Sequence, residues 1–131
     1  MNLQEKIETA VAVITEKKGF DTQLLDVAEI TEIAEAFLIT QAKNRTQSQS
    51  IADELLEKLE DGGERPLRVE GYQAGGWILL DYGDLIIHVF LPEEQEYYKL
   101  PRLWKDAKFT RFDEEGNAHP VTDDDGGETA E

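Results

Sequence analysis

The chain has 131 residues, 40% hydrophobic and 32% charged, which is enough apolar material for one core and too little length for a series of modules. Thirteen Lys and Arg stand against 29 Asp and Glu, and the formal charge of −16 argues against a stand-alone nucleic-acid or acidic-membrane binder. Cys is absent, which excludes disulfides, thiolate zinc sites and cysteine nucleophiles; no apolar run approaches the roughly 20 residues of a membrane span, and MNLQEKIETA lacks the form of an export signal, so a soluble cytoplasmic protein is expected.

Leu3, Ile7, Val11 and Ile14 recur every three or four residues and predict an opening amphipathic helix that Gly19 caps. Leu24 to Val27 reads as a short strand, Thr31 to Ala34 as one helical turn, and the apolar run Ala36 to Thr40 as a buried strand. A second amphipathic helix turns Ile51, Leu55, Leu56 and Leu59 inward and closes at Asp61, Gly62 and Gly63; its start, between Lys43 and Gln47, has no sharp cap. Leu67 to Tyr72 is extended, and Ala74 to Gly76 make a turn. Trp77 to Tyr82 and Leu85 to Phe90 then form a hairpin about Gly83 and Asp84.

Pro92 stops that ladder, Glu93 to Tyr98 fits a short helix, and Pro101 begins another short segment with Leu103 and Trp104. Lys108 to Phe112 alternates as a last edge strand. The order implies an α/β fold, a mixed β-sheet flanked by helices, in a domain spanning residues 1–112. Residues 113–131 carry eight acids, no Lys or Arg and one large aliphatic residue, Val121. They are expected to be a disordered acidic tail, either a lure for a basic partner or a solvating terminus.

No nucleophile elbow, Walker loop or HExxH motif is present. Asp81 and Asp84 flank the hairpin turn, where Asp is ordinary turn chemistry; read as a metal pair they need another ligand, and only Asp26 suggests itself. His88 shares a strand face with Ile86 and Phe90 and is open to two readings, a hydrogen-bonded residue at the edge of a core or an interface or site group; His119, in the expected tail, is not expected to be its metal partner. No metal, cofactor or catalytic residue is expected.

Both Trp and three of the four Tyr (Trp77, Tyr82, Tyr97, Tyr98 and Trp104) fall within 28 positions, together with Leu100 and Leu103. They either fill the core or form a half-buried patch with polar handles of the kind that anchors interfaces. Lys99, Arg102, Lys105, Lys108 and Arg111 make the only basic stretch beside them.

From Leu3 to about Ala107 the chain resembles the ribosomal silencing factor, or iojap-like, family (RsfS). The likeness is densest in EGYQAGGWILLDYGDLIIHVF, through Glu70, Gly71, Trp77, Asp81, Gly83, Asp84 and His88. It continues in YYKLPRLW through Tyr97, Tyr98, Leu100, Leu103 and Trp104, with further matches in Leu24 to Val27 and Ser50 to Asp53. Departures from the family pattern are Ala42, Asn44, Gln95 and Pro101.

The resemblance implies a nucleotidyltransferase-like fold without its catalytic residues, and a non-enzyme that binds the large ribosomal subunit through ribosomal protein L-fourteen. Such a factor blocks the small subunit sterically and represses translation, and it forms a homodimer when free. The partner-binding residues expected are Glu70, Trp77, Asp81, Tyr82, Asp84, His88, Tyr98, Leu100, Leu103 and Trp104. The competing readings are a nucleotidyltransferase-like enzyme using Asp81 and Asp84, and a generic dimeric adaptor.

Overall fold

The computed structural model describes residues 1–94 and 105–121. Helix α1 (Leu3–Glu16) starts at a capping box: the Asn2 side chain accepts from the Glu5 amide at 2.8 Å, and the Glu5 carboxylate accepts from the Asn2 amide at 2.9 Å. Its end differs from expectation. Lys18, not Gly19, takes the left-handed conformation (φ 69°), and the Gly19 amide donates back to the Ile14 carbonyl at 2.9 Å. Gly19 is needed for proximity instead, because a Cβ there would sit 2.7 Å from Ile14 Cγ2 and 2.8 Å from Thr40 Oγ1.

Strand β1 (Phe20–Asp26) begins four residues earlier than the apolar run at Leu24 suggests, through an irregular stretch in which Asp21 has φ 51°. The helical turn expected at Thr31 to Ala34 is absent. The chain turns earlier, where the Ile30 and Thr31 amides both donate to the Val27 carbonyl at 3.0 Å. Strand β2 (Ala36–Gln41) is buried along its whole length. Helix α2 (Arg45–Asp61) has the sharp cap that sequence missed: Asn44 Oδ1 accepts from the Gln47 amide at 2.9 Å, a role open to Asn as to the Ser usual there.

Strands β3 (Arg68–Glu70), β4 (Trp77–Asp81) and β5 (Leu85–Phe90) follow. The first is shorter than the extended stretch expected, because Gly71 turns the chain at φ 77° and lies so close to Trp77 that a Cβ would run into its carbonyl oxygen. Strand β6 (Lys108–Phe112) is not an edge. It pairs with β7 (Ala118–Val121), Phe112 opposite Ala118 and Phe109 opposite Val121, which corrects the expectation of disorder from residue 113. Asp113 organises the intervening turn: one carboxylate oxygen accepts the Glu115 and Asn117 amides at 3.0 and 2.8 Å, the other meets His119 Nε2 at 2.8 Å, and Gly116 supplies φ 85°. Those local bonds offset a net charge that composition alone reads as disorder. The rest of the expected tail, residues 122–131, lies outside the described residues.

The seven strands form one mixed sheet in the order β3-β4-β5-β2-β1-β6-β7, antiparallel except for the central β2–β5 pair. Both described helices cover one face, where Ile7, Ala10, Val11 and Ile14 of α1 and Ile51, Ala52, Leu55 and Leu59 of α2 pack on Leu38, Ile78, Leu80, Ile87 and Val89. The opposite face carries a second cluster that includes Leu25, Phe37, Ile39, Ile86, Phe90 and Ala107, with Trp77, Leu79 and Phe109 packed against it. Successive residues of β5 point to opposite faces and all six are buried, so its continuous apolar run serves both cores.

Candidate functional site

The register of the central strands places a chemically distinct cluster on the face without described helices. Leu79 lies beside His88 and Trp77 beside Phe90 across the β4–β5 ladder, and His88 lies beside Ile39 on β2. Trp77 Nε1 donates to His88 Nδ1 at 3.0 Å. That bond fixes the tautomer, since Nδ1 accepts and the remaining proton must reside on Nε2. Aromatic rings hold the imidazole in place: Phe37 meets it edge-on (centroids 5.6 Å, 85°), the Phe90 ring lies nearly parallel to it (6.0 Å, 9°), and Trp77 leans on Phe90 at 5.0 Å.

His88 is 5% exposed, and burial pushes its pKa down from 6.5 to about 4. It is therefore neutral at pH 7, and its Nε2–H is buried without a hydrogen-bond partner among the described residues. An unmade bond of this kind costs the desolvation of the donor, about 1–3 kcal/mol, so the site holds a polar group that an incoming acceptor would satisfy. Trp77 and Leu79 are only half-buried and form the rim.

The carboxylates expected to meet a partner have partners within the chain. Asp81, on the same face as Trp77 and Leu79, accepts from Arg68 Nε at 3.1 Å with one oxygen and caps the hairpin turn with the other, taking the Gly83 amide at 2.8 Å. Glu70 accepts from Arg68 Nη1 at 2.7 Å; both side chains are more than half exposed, so this acidic rim stays open to solvent. Asp84 turns instead to α1 and accepts from Lys6 Nζ at 2.8 Å. The Lys6 side chain is 8% exposed and also meets Glu64 at 3.3 Å. Burial works to lower the Lys6 pKa, but the bonds to Asp84 and Glu64 together outweigh it and hold the ammonium above its ordinary value. Tyr82 faces the helix-covered core; burial pushes its pKa up to about 12, helped by Glu64 and Glu60, and its hydroxyl has no partner among the described residues.

The structure thus brings Glu70, Trp77, Asp81 and His88 to one face and directs Tyr82 and Asp84 elsewhere. Tyr98, Leu100, Leu103 and Trp104 lie outside the described residues, as do Tyr97 and most of the short helix expected over Glu93 to Tyr98. Asp81 and Asp84 do not form a metal pair, and among the described residues no group of three His, Asp or Glu could hold a cation. Phe37 and Arg68 were missed because only strand pairing puts them beside β4 and β5. Lys6 did leave a signal, for helical spacing sets it in line with the buried Ala10 and Val13.

Comparison with known proteins gives this surface its context. The family profile described as "Ribosomal silencing factor during starvation" matches residues 1–130. The chain belongs to the ribosomal silencing factor family. It is 38% identical over 107 residues to the ribosomal silencing factor of Halalkalibacterium halodurans, spanning 82% of this chain and 92% of that protein. A Mus musculus protein named for mitochondrial assembly of the ribosomal large subunit is 42% identical over 38 residues, 29% of this chain and 17% of its own. In structure the chain is similar to a crystallised Chromobacterium violaceum protein, with a TM-score of 0.76 and 30% identity over 80% of this chain and 88% of that one. Members of the RsfS family silence ribosomes and repress translation; they are not enzymes.

Proposed function

We propose that this silencing factor acts as a steric wedge: it binds the large ribosomal subunit through ribosomal protein L-fourteen and keeps the small subunit from joining. The observation that carries the reading is the buried His88 Nε2–H, without a hydrogen-bond partner among the described residues, beneath a half-buried Trp77 and Leu79. A partner that places an acceptor there and covers the rim gains the hydrogen bond and buries aromatic surface, the combination that concentrates binding energy at the centre of an interface. Glu70 and Asp81 sit on the rim as carboxylates for Arg or Lys of a basic ribosomal protein. The charge of −16 steers the chain toward such a protein and away from exposed rRNA.

Tyr98, Leu100, Leu103 and Trp104 are proposed partner contacts on the family resemblance. Tyr82 and Asp84 act in it through the hairpin scaffold. A standard interface takes about 800 Å² from each side, roughly a tenth of the 7735 Å² of accessible surface, so one face suffices, and a homodimer hides it when no ribosome is free. Among the described residues no helix is long and apolar enough to cross a membrane, and the proposed site of action is the cytoplasm. Purified subunits are mixed with the protein and separated on a sucrose gradient. The expected result is fewer whole ribosomes, with the protein sedimenting on large subunits; unaltered subunit joining at saturating protein refutes the proposal.

A further inference from the structure

The two described helices make a layer too narrow for the seven described strands beneath them. Seven strands at about 4.8 Å spacing make a sheet about 29 Å across, whereas two helices packed about 10 Å apart cover about 20 Å. Helix α2 rests on β4 and β5, and α1 on β5, leaving the β1–β6–β7 wing with only the flank of α1 beside it. The strip left unfilled by the described residues is about one helix wide. It forms a groove of about 720 Å³ along α1, in which Ile7 and Val11 face Leu24 and Phe112 across the floor. One end is closed, where the β6–β7 turn approaches α1 so tightly that a Cβ on Gly116 would lie 2.9 Å from Thr15 Oγ1.

We propose that this groove is a second docking surface, distinct from the His88 face, and that its occupant is a cationic amphipathic helix of a partner protein. The rim decides the charge: Glu8, Glu16 and Glu115 line it, and no Lys, Arg or His is present among its described lining residues. The chain's own residues 122–131 are not the occupant, because they carry five acids and no large apolar residue. A fatty carboxylate or an anionic lipid is repelled on the same ground. A partner helix with an apolar stripe toward Val11 and Phe112 and Lys or Arg on its flanks satisfies both the floor and the rim.

The probe is a synthetic 15-residue helical peptide of Leu and Lys. Its controls are a Lys/Ser peptide of equal charge and a Leu/Glu peptide with the same apolar stripe. Binding to the full chain is followed by fluorescence anisotropy and by amide chemical shifts. Ala12→Trp, at an exposed position on α1, fills the groove; Glu8→Lys with Glu16→Lys reverses the rim from exposed positions. The expected result is saturable binding of the Leu/Lys peptide with shifts at Val11, Leu24, Thr110 and Phe112, weakened about 10-fold or more by each variant. Equal affinity for wild type and both variants, equal binding of the Lys/Ser or Leu/Glu peptide, or no saturable binding overturns the proposal. Cosedimentation of the Ala12→Trp chain with large subunits, read in parallel, tests the preceding reading separately: its retention leaves the His88 face standing whatever the peptides do.

Discussion

Lowering the pH from 7 to 4 should cost the protein stability through one imidazole. His88 titrates at about 4 when folded, because it is buried among Phe37, Trp77 and Phe90, and near 6.5 when unfolded. Its folded pKa is the lower of the two, so the unfolded chain takes up the proton first. The contribution is fully present above pH 6.5, falls as the pH drops, and levels off below about 4. With 1.36 kcal/mol per pH unit, the loss relative to pH 7 is about 2 kcal/mol at pH 5 and about 3 kcal/mol at pH 4. Against a total stability of about 5–15 kcal/mol, that is a large share. Glu64 and Asp113 add to acid lability below this window, since hydrogen bonds from the terminal amine and Lys6 lower the one and His119 with the Asn117 and Glu115 amides lowers the other. A His88→Gln variant separates the effects, because it keeps those carboxylates and an acceptor for Trp77. Urea denaturation at pH 7, 6, 5 and 4 should show the wild-type advantage shrinking by about 3 kcal/mol, most of it before pH 5. Two stability curves that stay parallel within about 0.5 kcal/mol refute the assignment of a buried neutral imidazole.

Asp84→Ala should cost about 1–3 kcal/mol in chemical denaturation by removing the shorter of two bonds to the buried Lys6. Adding Lys6→Met should restore part of the loss, since the unpaired charge is then gone. Gly71→Ala should be worse than Gly83→Ala in thermal melts: both residues have positive φ, but the new methyl group strikes the Trp77 carbonyl in the first and meets nothing nearer than Leu67 Cδ1 at 3.7 Å in the second. Trp77→Phe removes the donor to His88 and leaves both ring nitrogens without a partner among the described residues, so it should lower stability by about 1–3 kcal/mol and, under the proposed function, weaken cosedimentation with large subunits. Trp104→Ala should leave the melt of the body unchanged and reduce cosedimentation if that ring is a contact anchor; a melt that collapses together with binding assigns it to the core.

Periodicity made the two helices and the β4–β5 hairpin legible, because one-sided burial at 3.6 residues per turn and a tight turn between apolar runs are local patterns. What it missed depends on bonds between distant or chemically unremarkable groups. Strand β7 is held by the Asp113 side chain bonding its own turn, which an acidic composition conceals. Asn44 caps α2 without any apolar signal ahead of it. At the candidate site, alternation correctly put His88 on the face of Ile86 and Phe90, but the tautomer and the orphaned proton appear only once β4 is laid against β5.

The residues that carry the family likeness divide into two physical roles. Asp81 closes the turn through the Gly83 amide, Gly83 supplies φ 88°, and Asp84 anchors α1 through Lys6. Each of these is satisfied inside the chain, so that part of the signature specifies a hairpin and its attachment to the first helix. A metal or nucleotide would have to displace Arg68 or Lys6 to use those carboxylates, and the family to which the chain belongs is one of silencing factors. Trp77 and His88 differ: they bond each other and, among the described residues, still leave a buried proton unpaired. Under the proposed function an external acceptor satisfies that donor, and Trp77 and His88 are then the contact-forming half of the signature beside a fold-forming half of Asp81, Gly83 and Asp84.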